Sequence, residues 1–70
     1  MTATEKRLYF YNEMKNIDIS DEVYDYLEDY FLETNNLAHC KKSATIASFL
    51  KPKSDNLEKF KIIFLSLISN

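Results

Sequence analysis

The fold class of this chain is clearest in residues 21–33, DEVYDYLEDYFLE. Placed on a helix, one side of this stretch is apolar and aromatic, comprising Val23, Leu27, Tyr30 and Phe31, flanked by Tyr24 and Tyr26. The opposite side is acidic, comprising Asp21, Glu22, Asp25, Glu28, Asp29 and Glu33, with Leu32 in its middle. A helical period of this kind predicts an amphipathic helix that buries one face. Ser20 precedes the stretch and fits a helix N-cap.

The N-terminal segment predicts a first helix. Residues 2–5, TATE, match a capping box, in which the side chains of Thr2 and Glu5 each accept a hydrogen bond from the other residue's backbone N–H. Phe10 and Met14 then share one side of that helix. Residues 8–11, LYFY, taken alone also fit a short strand, so both alternatives stay open for this stretch.

The second half of the chain predicts two or three further helices. One helical turn is expected over residues 37–40, followed by a separate helix over residues 43–50 that Ser43 caps. Pro52 ends that helix, because the residue before a proline avoids the α conformation. Residues 54–58, SDNLE, come close to a capping box and open a last helix that runs nearly to the end of the sequence.

These patterns together predict an all-α fold, a compact bundle of four to five short helices that forms one small domain over residues 1–70. The expected core comprises Leu27, Phe31, Ile46, Phe49, Leu50, Phe60, Phe64 and Leu67. The chain contains no glycine. Because P-loops, GxGxxG turns and GxSxG elbows all need glycine, its absence excludes those nucleotide-binding and hydrolase motifs.

The composition also bears on the compartment. Cys40 has no second cysteine with which to form an internal disulfide, which favours a reducing, intracellular and cytoplasmic setting. The longest apolar stretch, residues 60–68, is shorter than the ~20 residues that a membrane-spanning helix needs. The first fifteen residues carry charges on both sides of a short apolar run and do not match a signal peptide. We therefore expect no membrane partner.

The chain offers few groups for catalysis or metal binding. His39 and Cys40 are the one candidate pair of base and nucleophile, but neighbours on a helix point about 100° apart and hydrogen-bond poorly to each other. No further histidine or cysteine completes a zinc site. The carboxylates of residues 18–33 lack the spacing and the glycine of a calcium loop. We expect no enzyme activity, no cofactor, no metal and no small-molecule substrate.

Two apolar features lie outside the expected core and indicate a binding surface. Ile62 and Leu65 fall outside the apolar stripe of the last helix, and Leu32 falls within the acidic side of residues 21–33. Either other helices of the chain wrap the last helix on both sides, or the helix pairs with a second copy or another protein. Apolar side chains left on a surface favour a protein partner. The expected protein-binding residues are Leu32, Asp25, Glu28, Asp29, Ile62 and Leu65.

The main expectation is therefore a small non-catalytic interaction module that inhibits or regulates a partner protein. Its size and style are those of proteins encoded by phages and mobile elements. Pairing of the last helix across a two-fold axis buries a self-complementary stripe, so we also expect a homodimer. The net charge of −2 favours a protein over DNA as the partner.

Charge is divided between the two halves, which leaves a DNA-binding alternative. Residues 16–40 hold seven acids and no lysine or arginine, whereas residues 41–61 hold six lysines and two acids. Residues 43–67 also resemble the back half of a phage-repressor-type helix-turn-helix domain, through the TIA of residues 45–47, a basic loop that contains proline, and the following SDNLEKF. The turn glycine of that family is absent.

The resemblance implies a transcriptional regulator that binds DNA through residues 41–53. Ser43, Ala44, Thr45 and Ser48 would face bases or phosphates, and Ile46 would lie in the core. The lysines would contact the DNA backbone. The residues expected to bind DNA in this alternative are Lys41, Lys42, Ser43, Thr45, Ser48, Lys51 and Lys53.

Overall fold

The computed structural model describes residues 2–50 and 57–69. This part of the chain contains four helices. They are α1 (Ala3–Met14), α2 (Asp21–Thr34), α3 (Leu37–Leu50) and α4 (Leu57–Ile68). The predicted all-α class is confirmed, and four helices agree with the expected four to five. Residues 8–11 lie within α1, so the alternative of a short strand there is wrong.

The predicted capping box at the start of α1 is confirmed. The Thr2 backbone N–H donates to the Glu5 carboxylate at 2.9 Å, and the Glu5 N–H donates to the Thr2 hydroxyl at 3.2 Å. Hydrogen bonding of the Glu5 carboxylate to Thr2, first through the Thr2 backbone and then through its side chain, holds the pKa of Glu5 below its ordinary value. Phe10 and Met14 are buried on the inner side of α1, as their spacing predicts.

Both ends of α2 are fixed by polar side chains or by an unusual backbone conformation. The Ser20 hydroxyl accepts from the Val23 N–H at 3.3 Å, which confirms the predicted N-cap. After α2 ends, Asn35 adopts a left-handed conformation with φ 59°, and its N–H donates to the Phe31 carbonyl at 2.8 Å. Glycine usually fills such a C-terminal position, and asparagine is its common substitute. Asn35 therefore ends α2 in the left-handed conformation in a chain that has no glycine.

The prediction that residues 37–40 and 43–50 form separate helices is wrong, because α3 runs without a break from Leu37 to Leu50. The cap of α3 is Asn36, whose side-chain oxygen accepts from the His39 N–H at 3.2 Å. Ser43 is not a cap; its side chain is fully buried in the middle of α3. The predicted roles of Pro52 and of residues 54–56 lie outside the described residues.

The core is built around α2, and its ring contacts show which helices α2 joins. Phe10 of α1 stacks on Phe31 of α2 with ring centres 5.4 Å apart. Tyr30 of α2 meets Phe64 of α4 edge-on at 4.8 Å. The buried apolar residues are Phe10, Met14, Val23, Leu27, Phe31, Cys40, Ala44, Ala47, Phe60 and Phe64.

The core prediction is correct for four residues of α2 and α4 and wrong for Phe49 on α3. Leu27, Phe31, Phe60 and Phe64 are buried as predicted. Ile46 and Leu67 are half-buried, and the Leu50 side chain lies outside the described part of the chain. Phe49 was expected in the core but is 81% exposed.

The error at Phe49 has a geometric cause. The inner face of α3 consists of small residues, namely Cys40, Ser43, Ala44 and Ala47. Phe49 lies about 160° around the helix from Ala47, so it points away from that face. Small residues allow neighbouring helices to approach α3 closely, and no large side chain is needed there.

Candidate functional site

The outer side of α4 carries two large aliphatic side chains that the fold leaves in solvent. Ile62 is 69% exposed and Leu65 is 55% exposed. They are three residues apart, so they are neighbours on the helix surface. Phe60 and Phe64, on the inner side, are buried. Ile62 and Leu65 therefore lie in solvent, and the interpretation in which other helices of the chain wrap this side of α4 is wrong for the described residues.

A contact between α2 and α4 places acids beside this pair. The Lys61 ammonium lies 5.6 Å from the centre of the Tyr26 ring, a distance that allows a cation–π interaction. Leu65 follows Lys61 by one helical turn, and Glu22 and Asp29 lie one turn before and after Tyr26. We call the resulting surface the α2–α4 surface; it comprises Glu22, Tyr26, Asp29, Lys61, Ile62 and Leu65.

The structure divides the six residues predicted to bind protein into a group of three, a group of two and Asp25 between them. Asp29, Ile62 and Leu65 belong to the α2–α4 surface. Glu28 and Leu32 are half-buried and lie one turn apart on the flank of α2 that faces α1. Asp25 is exposed between the two groups.

A pKa shift marks the position of Glu28. The pKa of Tyr24 is raised above its ordinary value, mainly by burial. The next largest cause is the charge of the nearby Glu28 carboxylate, followed by Tyr11 and Asp25. Tyr24 contacts the ring of Phe10 on α1 at 5.2 Å, so this flank faces α1. Glu28 is therefore separated from Ile62 and Leu65 by the width of α2.

Three members of the α2–α4 surface, Glu22, Tyr26 and Lys61, were not predicted to bind. Lys61 was counted only among the lysines of residues 41–61, and Glu22 only among the acids of the polar side of α2. The contact between Lys61 and Tyr26 crosses two helices, and the period of one helix carries no signal for such a contact. The position of Tyr26 at the edge of the apolar stripe was the one feature of the sequence that pointed to this contact.

The residues expected to bind DNA are also divided. Lys41, Lys42 and Thr45 are exposed, and Ser48 is half-buried. Ser43 and Ala44 are fully buried, so the expectation that they face bases or phosphates is wrong. They lie on the inner face of α3, where they contact the chain's own core. Lys51 and Lys53 lie outside the described residues.

His39 and Cys40 are held by different partners. Nδ1 of His39 lies 2.8 Å from the Tyr30 hydroxyl and 3.0 Å from the Asn36 side-chain nitrogen. Cys40 is fully buried, and its thiol donates to the Leu27 carbonyl at 3.5 Å. Burial raises the pKa of the Cys40 thiol to about 11, which keeps the sulfur protonated at neutral pH. The fold uses both side chains to join α3 to α2.

The described residues also bear on metal binding, membrane insertion and the binding of small molecules. Over 2–50 and 57–69, no three His, Cys, Asp or Glu side chains are grouped so that they could hold a metal ion. None of the helices in those ranges combines the length and the apolar character that crossing a membrane requires. An open groove of about 630 Å³ is lined by Lys6, Tyr9, Phe31, Asn35 and Leu37. These five residues include one lysine and no carboxylate or histidine, so they do not form an acid–base pair of those types.

Comparison of the chain with models of protein families, with curated proteins and with solved structures finds no match. The α2–α4 surface and the exposed side of α3 are therefore interpreted from their own geometry and charge.

Proposed function

We propose that this chain is a non-catalytic protein-binding module that inhibits or regulates a partner protein through the α2–α4 surface. The observation that carries the proposal is the exposure of Ile62 and Leu65 side by side on α4. Full burial of such a side chain contributes about 1.5–3 kcal/mol. The monomer leaves most of that free energy unused, and a partner that covers both side chains gains it.

The chemistry of the partner follows from what surrounds the aliphatic pair. Two side chains cover only part of the ~800 Å² per partner that a standard interface buries. The adjoining area is acidic, because Glu22 and Asp29 lie beside the Tyr26–Lys61 contact. A fitting partner presents an apolar patch bordered by lysine or arginine side chains. Basic grooves of proteins that bind nucleic acids have this character, and occupying such a groove blocks it.

The homodimer expected from the sequence stays a prediction within this proposal. A second copy that packs its own α4 on Ile62 and Leu65 is one occupant of the surface. Sedimentation equilibrium at high micromolar concentration separates this case from a different partner. A mass that remains that of the monomer would contradict the homodimer.

The proposal is tested by affinity capture with matched variants. Three chains are immobilised on resin in equal amounts: the wild type, the Ile62→Glu/Leu65→Glu variant and a Leu8→Glu control. Each resin is then incubated with lysate of the cells that naturally produce the protein. Leu8 is 61% exposed on α1, so the control places a new charge at an equally exposed aliphatic position. Circular dichroism checks that all three chains are folded, and bound proteins are quantified by mass spectrometry.

The expected result is a protein that the wild type and Leu8→Glu retain and that the double variant loses. Capture of that protein should also weaken as salt increases, because acids contribute to the interface. A bound protein that all three chains retain equally would place the interface elsewhere. The absence of any protein enriched on the wild type would contradict the protein-binding function.

A further inference from the structure

The outward side of α3 carries a row of exposed residues that the proposed protein-binding surface does not use. Ala38, Lys42, Thr45 and Phe49 follow one another at intervals of three or four residues, so they form one line along the helix. All four are exposed, and Phe49 is the most exposed large apolar side chain in the described residues at 81%. We call this row the α3 outer face.

The neighbours of Phe49 argue against an ordinary apolar docking site. Within the described residues, the α3 outer face holds no second large apolar side chain; Lys42 and Thr45 precede Phe49 along the row. Lys42 makes no ion pair in residues 2–50 and 57–69, whereas its neighbour Lys41 pairs with Glu13 at 3.2 Å. A single exposed ring about two helical turns from a lysine that has no ion pair among the described residues fits a ligand that combines a flat apolar group with an anion.

The distribution of charge over the molecule also favours an anion on this face. Cys40 contacts the Leu27 carbonyl where α2 and α3 pack together. Asp25 and Asp29 lie two residues either side of Leu27, and Lys42 lies two residues from Cys40. Each is therefore about 160° around its own helix from that contact. Asp25 and Asp29 of α2 therefore point to the opposite side of the molecule from Lys42 of α3.

We propose that the α3 outer face binds single-stranded nucleic acid, with an unpaired base stacked on Phe49 and a nearby phosphate paired with Lys42. Seven residues separate the two side chains, which is about 10 Å along the helix axis. Proteins that bind single strands combine aromatic platforms with cations that follow the backbone, and they tolerate many sequences.

A single strand fits this face better than a duplex. A duplex keeps the flat faces of its bases stacked on one another, so they are not accessible to Phe49. Reading a duplex in its groove needs side chains that reach base edges. Ser43 and Ala44, which the repressor-like alignment assigns to that role, are fully buried. The exposed ring is therefore better suited to an unpaired base.

The test is fluorescence anisotropy of a labelled, mixed-sequence single strand of about 12 nucleotides, titrated with the full chain at several salt concentrations. The variants are Phe49→Leu, which removes the ring and keeps an apolar side chain, and Lys42→Ala. The matched controls are Tyr11→Leu and Arg7→Ala, which make similar changes at exposed positions of α1. A duplex of the same sequence forms a second arm.

The expected wild-type result is binding at low salt that weakens as salt rises. Phe49→Leu should weaken binding about fivefold or more at every salt concentration, because it removes the stacking platform and no charge. Lys42→Ala should reduce the slope of log K against log salt by about 0.7, the value for one phosphate contact on a single strand. Both controls and the Ile62→Glu/Leu65→Glu variant should bind within twofold of wild type.

Three results would overturn the proposal. If no single strand binds at low salt, the α3 outer face does not bind nucleic acid and a protein becomes the remaining partner for it. Equal binding of strand and duplex, with no effect of Phe49→Leu, would reduce the interaction to general attraction between charges. Equal losses in Arg7→Ala and Lys42→Ala would show that no particular lysine is used.

Discussion

The Tyr30 hydroxyl lies 2.8 Å from Nδ1 of His39 and joins α2 to α3 across the turn between them. The Asn36 side-chain nitrogen lies 3.0 Å from the same Nδ1, while the Asn36 side-chain oxygen accepts from the His39 N–H. The donor and acceptor roles of the hydroxyl and Nδ1 follow the tautomer of the imidazole, and the Asn36 side-chain nitrogen is a donor. His39 thus stabilises the junction of two helices and is not oriented toward Cys40.

Replacing Tyr30 with phenylalanine should lower the free energy of unfolding by about 1 kcal/mol, because the partly buried hydrogen bond to His39 is lost. Urea denaturation measures the change. Tyr26→Phe is the matched control, since Tyr26 contacts Phe60, Phe64 and Lys61 through its ring. Equal losses in the two variants would show that the bond to His39 contributes nothing.

The left-handed conformation of Asn35 predicts which of two substitutions at this position gives the more stable protein. Asn35→Ala should be less stable than Asn35→Gly by about 1 kcal/mol, because a Cβ atom is disfavoured at φ 59° and glycine has none. Helix propensity alone predicts the reverse order. Thermal unfolding of the pair distinguishes the two, and a more stable alanine variant would contradict the left-handed assignment.

Ser43 is expected to be a position where removing a polar group stabilises the protein. Its hydroxyl is fully buried and has no hydrogen-bond partner among the described residues. Ser43→Ala removes that unpaired group and has better helix propensity, so the free energy of unfolding should rise by about 1 kcal/mol. Thr45→Ala, at an exposed position of the same helix, should change it by less than about 0.5 kcal/mol. A destabilised Ser43→Ala would mean that the hydroxyl has a partner.

Cys40 should make the stability of the fold fall in alkaline solution. Burial raises the pKa of this thiol from 9.0 to about 11, so between these values the folded chain holds the proton more tightly than the unfolded chain. The stabilisation is complete below the unfolded pKa and is lost as pH rises toward the folded pKa, by about 2 kcal/mol. Urea unfolding at pH 8–11 should show a smaller fall for Cys40→Ala than for the wild type. Parallel curves would contradict the shift.

Features set by local spacing were predictable from the sequence. The helical period placed Val23, Leu27 and Phe31 on one side of α2, and all three are buried. The caps at Thr2 and Ser20 depend on residues three positions apart, so they too were correctly predicted. The same period placed Ile62 and Leu65 outside the apolar stripe of α4, but it left open whether other helices cover them; the structure shows both exposed.

Features that depend on how helices meet were not predictable. A serine such as Ser43 favours caps in general, and its place inside α3 depends on the small residues around it. Phe49 was assigned to the core by its hydrophobicity, although α3 buries a face without large side chains. The contact between Lys61 and Tyr26 depends on the arrangement of α2 and α4, which the spacing within either helix does not encode.

The central claim is that Ile62 and Leu65 form a free binding surface and are not part of the core. Urea unfolding of the Ile62→Glu/Leu65→Glu variant in dilute solution tests this most directly, with Leu8→Glu as the control. Exposed positions tolerate charge, so each substitution should change the free energy of unfolding by less than about 0.5 kcal/mol, as in the control. Loss of the folded state in the double variant, with Leu8→Glu still folded, would show that the pair belongs to the core and would contradict the claim.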